Sequence, residues 1–211
     1  MKFALSIWIY SWTMSLILSY FEDKRKVKIY SWVAVITMCF EQIAITSQAF
    51  RGDLSHFNHS NAYGIILFSL MGVFILTITL WTAFMMYIFI KQKKYNLAPT
   101  IVLSIKIGLI YFVVFSLFGG YISGLKGHTV GAIDGGKGLF FLNWSTLFGD
   151  LRVAHFFGIH SLQIIPLFAI LFDKYISKIH SLKATQVFSV LYLFLILFSL
   201  IQGLMGLPFI K

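Results

Sequence analysis

"GDLRVAHFFGIHSLQIIP", residues 149–166, sets an acid, an arginine, two histidines and a glutamine into an otherwise apolar run. At 100° per residue, Arg152, His155, His160 and Gln163 fall within an arc of roughly 140°. The stretch therefore reads as a helix with one polar face. Asp150 lies off that arc at the helix start, where an acid complements the helix dipole and serves as a cap. Pro166 cannot donate to the carbonyl of Leu162, so a bend is expected close to Gln163. Backbone freed at such a break often lines a cavity.

This helix has five companions. About 20 mostly apolar residues cross a hydrocarbon core of about 30 Å. Six segments qualify, at residues 3–21, 28–50, 62–90, 97–123, 149–172 and 184–206. The 211-residue chain is 59% hydrophobic, 18% aromatic and only 11% charged, against about 25% charged in a soluble domain. The first run reads as a retained helix rather than a signal peptide, because Trp8, Tyr10, Trp12 and Tyr20 interrupt it and no small-residue cleavage site follows. The expected fold is an all-α integral membrane protein. It is a six-transmembrane-helix bundle forming a single domain over residues 1–211, with the lipid bilayer as its first partner. A homo-oligomer is compatible with that architecture.

The formal charge of +10 does not point to nucleic acid, because no basic face or binding motif accompanies it. Ten lysines and arginines fall in the short connections at residues 22–28, 91–96 and 173–183. The other side carries Lys2, Arg51, Lys126, Lys137, Arg152 and Lys211 on longer pieces. The positive-inside rule places the short basic turns in the cytoplasm and both termini outside. The lone cysteine, Cys39, excludes an intrachain disulfide and any multi-cysteine metal site, and is expected to be a small buried hydrophobe.

The external connections are "RGDLSHFNHSN" (51–61) and the glycine-rich "GLKGHTVGAIDGGKGLFFLNWSTLFGD" (124–150). Long ordered loops in small domains tend to be functional, which selects His56, Asn58, His128, Asp134 and Asp150. Residues 138–142, "GLFFL", are apolar enough to suggest a re-entrant segment.

Ionisable groups at membrane depth normally face a bundle interior or a water-filled cavity. Counting about 1.5 Å per residue from the cytoplasmic ends, Glu41 and His160 lie about 20 Å deep and Lys106 about 15 Å. These three form a candidate intramembrane charge site, either a structural ion pair or a proton-transfer centre. Glu41, Ala44, Gln48 and Arg51 share one face of the second span. With Arg152, His155 and Gln163 they are expected to line a polar cavity open to the extracytoplasmic side, with Arg51 and Arg152 attracting an anionic group.

His56, His59, His128, His155 and His160 all fall outside or within the membrane. Spans at i, i+4 that would put two ligands on one helix face are missing, since His155 and His160 are five apart. His56, His128, His155 and His160 are the candidates for a transition metal, zinc needing three or four such ligands. A haem would sit between histidines on different segments, such as His56 or His128 with His155. No nucleophile elbow is present.

The blocks "QAFRGDLSHFN", "HTVGAIDGGKGLFFLNWS" and "GDLRVAHFFGIHSLQ" resemble a family of uncharacterised bacterial multi-span membrane proteins. The resemblance covers the second to fifth spans and implies a bacterial inner membrane, with no activity attached. The leading functional expectation is proton-linked transport or relay of a small solute or ion. A membrane-embedded metal or haem enzyme, or an electron-transfer protein, is the alternative. A structural subunit whose polar stripes act as helix glue is the third.

Overall fold

A computed structural model describes residues 2–58 and 61–211. Six helices follow one another: α1 (Lys2–Ser19), α2 (Lys24–Phe50), α3 (Ala62–Lys91), α4 (Pro99–Gly124), α5 (Arg152–Tyr175) and α6 (Lys178–Leu204). Between α4 and α5, β1 (Thr129–Val130) and β2 (Gly149–Asp150) form an antiparallel pair. Among the described residues the other regular structure is helical, apart from an isolated bridge between Gly138 and Ser145. Five helices, α2 to α6, are long and apolar enough to cross a membrane, while α1 supplies a shorter apolar run, Ala4–Ser19.

The helix limits depart from the apolar runs for physical reasons. Hydropathy marks the part of a helix suited to hydrocarbon, and lysine is a good helix former beyond it. So α6 starts at Lys178 rather than 184, inside its basic turn, and α2 starts at Lys24 rather than 28. Asp23 caps α2 by accepting from the Lys26 N–H at 3.1 Å and pairs with its ammonium at 2.6 Å. In contrast, α5 starts only at Arg152, because Gly149 and Asp150 are drawn into the strand pair. It runs helical through Pro166 to Tyr175.

The chain forms two compact units, Met1–Asn96 and Leu97–Lys211, which divide at the end of the basic connection 91–96. In the first, α2 packs against both α1 and α3. Tyr10 and Tyr30 meet through their hydroxyls at 2.5 Å, and each lies 2.9 Å from the Thr82 hydroxyl. Thr82 also reaches the Ile78 carbonyl at 2.7 Å. Three hydroxyl protons thus serve at least four short contacts, so the donors must share.

In the second unit α4, α5 and α6 pack on one another around Phe115, Ala154, Ile165, Tyr192 and Ile196. Polar bonds stitch the helices: Ser161 donates to the Gly108 carbonyl at 3.2 Å and Tyr192 to the Phe157 carbonyl at 2.8 Å. Such bonds supplement van der Waals packing, which is the main force between helices in lipid.

Large apolar side chains, among them Trp8, Trp12, Trp32 and Phe194, are exposed along the helices. Cys39 is exposed too, contrary to the expectation of a buried hydrophobe. An apolar run has the same composition whether its side chains meet other helices or lipid, so burial within the protein cannot be read from it. The "GLFFL" segment is a tight turn. Leu139 N–H donates to the Trp144 carbonyl at 2.9 Å, Asn143 N–H donates to the Leu139 carbonyl at 2.8 Å, and Phe140 is exposed.

Candidate functional site

The loop between α4 and α5 folds around its two acids. Asp134 turns back to accept from the N–H groups of His128 (3.1 Å) and Thr129 (2.8 Å). The strand register then sets Thr129 opposite Asp150. Asp150 Oδ2 accepts from Ser145 N–H at 3.0 Å and Arg152 Nη2 at 2.7 Å. Its Oδ1 accepts from Arg152 N–H and Nε, both at 3.0 Å. His128 Nδ1 stands 3.4 Å from Asp134 and 3.5 Å from Asp150.

The Asp150 side chain has 0% exposure. Burial alone would push its carboxyl up, but the bonds from His128 and Arg152 outweigh that and hold it well below the usual carboxylate range. Burial also opposes ionisation of Asp134, and the bonds from Thr129 and His128 again win, so its carboxyl is lowered. Asp150 is therefore more than the cap its position suggests. It joins β2, the loop and the first turn of α5. Close backbone contact locks the same strand onto α6, since a methyl group on Gly149 would collide with the Gly203 carbonyl and Gly206.

The first unit holds the other polar constellation. Tyr30, Thr37, Glu41, Ala44 and Gln48 form the buried face of α2. Glu41 is 1% exposed and its Oε1 has no hydrogen-bond partner among the described residues. Gln48 is 0% exposed and neither end of its amide has one. Arg51 closes the helix but leaves the buried stripe. It is exposed, bonded to Asp53 at 3.1 Å and stacked over the Tyr63 ring at 4.6 Å. In the following loop His56 Nδ1 lies 3.0 Å from the Ser55 hydroxyl, and burial pushes the His56 imidazole down. Asn58 is buried. His59 lies outside the described residues.

The remaining candidates sit on the helices of the second unit. His155 Nδ1 donates to the Phe115 carbonyl at 2.7 Å, tying α5 to α4. Its ring occupies the space where a side chain on Gly119 would be. His160 is half-buried with its ring 4.1 Å from that of Phe156. Lys106 and Gln163 are half-buried on α4 and α5.

Of the sequence-selected residues, the structure brings His128, Asp134, Asp150 and Arg152 into one network. Glu41, Gln48, Arg51, His56 and Asn58 belong to the first unit, and Lys106, His155, His160 and Gln163 to the second. Both arginines expected at a basic entrance already bind acids. Among the described residues no group of three or more His, Cys, Asp or Glu is arranged to hold a metal ion. The Tyr10–Tyr30–Thr82 cluster was hidden because tyrosine counts as apolar in composition. Ser181 and Thr185 are fully buried in α6, and their hydroxyls lack partners among the described residues. Their spacing of four was the available signal. No family profile, curated protein or solved structure matches the chain.

Proposed function

We propose that the chain is a multi-pass membrane protein of six crossings, both termini extracytoplasmic, that relays protons, alone or in step with a small solute or ion. What supports this reading is the buried face of α2. Leaving a buried polar group unpaired costs about 1–3 kcal/mol, more when it is charged. Ionisable groups inside membrane helices commonly mark proton and ion paths. Glu41 is the proton carrier, alternating between carboxylic acid and carboxylate. Gln48 lies two turns along the same face, about 10 Å by helical rise, and offers both a donor and an acceptor toward the Arg51 end. Lys106 and His160 are the candidate charge-changing groups of the second unit. Together with the sequence resemblance, this reading assigns the chain to a bacterial inner membrane.

The test is proton flux into liposomes carrying the purified chain and a pH-sensitive dye, driven by a potassium gradient with valinomycin. Wild type acidifies the lumen, and Glu41→Gln lowers the rate at least tenfold with unchanged expression and melting temperature. A wild-type chain that moves no protons, or an E41Q variant that moves them at the wild-type rate, overturns the proposal.

A further inference from the structure

We infer that the α4–α5 loop binds a compact oxyanion: inorganic phosphate or sulfate, a small monocarboxylate, or the phosphate of a lipid headgroup. The inference is independent of proton transport, because neither Glu41 nor any flux enters it. A pocket of about 50 Å³ opens in this loop, and His128, Thr129, Lys137, Asn143, Ser145 and Arg152 supply its polar wall. Three of these are cationic or can become so, and no carboxylate lines the pocket.

The two acids of the loop stand outside the lining with their oxygens occupied. Asp150 is covered by Ser145, Arg152 and His128, and Asp134 by the N–H groups of His128 and Thr129. Donor capacity remains on the wall itself. Arg152 commits Nε and Nη2 to Asp150 and Nη2 also to the Asn143 carbonyl at 2.5 Å, while Nη1 makes no bond among the described residues. Lys137 pairs with no acid among the described residues. The Ser145 hydroxyl oxygen accepts from the N–H groups of Phe148 (2.9 Å) and Leu147 (3.4 Å), so its hydrogen is left to donate.

The backbone adds to this. Gly135, at φ +98°, turns the chain so that it and Gly136 line the pocket with no side chain between main chain and ligand. The first turn of α5 begins at Arg152, and its dipole favours a negative charge there. Size completes the specification. A site for one water needs about 10–15 Å³ of such space, so the pocket suits a group of a few heavy atoms. A wall that carries guanidinium, ammonium and hydroxyl donors around so small a space matches an oxyanion.

The experiment titrates the full chain in detergent with sodium phosphate, sulfate and acetate at constant ionic strength set by chloride, reading heat and melting temperature. A parallel arm compares nanodiscs of phosphatidylcholine with and without phosphatidate. Saturable binding of a free anion in detergent identifies a soluble ligand. Stabilisation by phosphatidate alone identifies a headgroup. Lys137→Gln, an exposed position, should weaken whichever signal is seen at least fivefold without moving the ligand-free melting temperature. Lys126→Gln, in the same loop but outside the pocket, should leave it unchanged. The inference is overturned if no anion and no phosphatidate gives a saturable signal, or if K126Q and K137Q weaken it equally.

Discussion

Asp150, ahead of α5, and Glu41, in the second half of α2, are both removed from solvent but live in opposite surroundings. Asp150 receives four hydrogen bonds from Ser145 and Arg152 and stands beside His128. Glu41 has a carboxyl oxygen with no partner among the described residues, on the same face as an amide in the same condition. A saturated buried charge holds its neighbours in place, because each donor is stranded when the acceptor goes. An unsaturated one holds nothing comparable in place, and the fold carries its cost. The first pattern belongs to architecture and the second to a site.

Asp150→Asn tests the contrast most severely. Removing one partner from a buried ion pair costs about 3–5 kcal/mol, so D150N should lower the melting temperature sharply and expose the loop to proteolysis. A neutral outcome would erase the distinction. Gly149→Ala comes next. The added methyl meets backbone rather than a flexible side chain, and overpacking of this kind costs about 1–3 kcal/mol. Its signature is loss of loop protection in limited proteolysis while the helical circular dichroism persists.

Acid sharpens the same comparison. Asp150 and Asp134 both ionise more readily in the fold than in the unfolded chain, whose carboxyl pKa is about 3.9. Their contribution is therefore fully present above that value and is lost as pH falls toward the depressed folded values. Melting temperature should be flat in this respect from pH 7 to about 5 and should decline below about pH 4. D150N should decline less. The smallest stability effect is expected for Glu41→Leu. Replacing an unpaired buried polar group by an apolar one of similar size is near neutral or stabilising, within about 1 kcal/mol. The variant should melt at or above the wild-type temperature while its proton flux is lost in the liposome assay.

Much of the helix inventory was legible because spanning length and apolarity are one-dimensional properties. Runs of the right length appear wherever the backbone must satisfy its own hydrogen bonds. The polar stripe of α2 was legible for a similar reason, since Glu41, Ala44 and Gln48 follow from helical pitch alone. Arg51 left the stripe because it lies at the helix end, where Asp53 and Tyr63 come within reach. Cys39 went astray because lipid and protein interior reward the same side chains.

The sequence by itself determined that the chain is built of apolar helices, which helix faces are polar, and which loop gathers His128, Asp134 and Asp150. Periodicity and composition suffice for these because each depends on neighbours along the chain. Only tertiary structure decided that Asp150 is a saturated hub rather than a helix cap, that Glu41 and Gln48 are buried without partners, and that Lys137 and Arg152 share a pocket. Those outcomes depend on which donors arrive from residues distant in sequence, and hydrogen bonds of that kind leave no periodic trace.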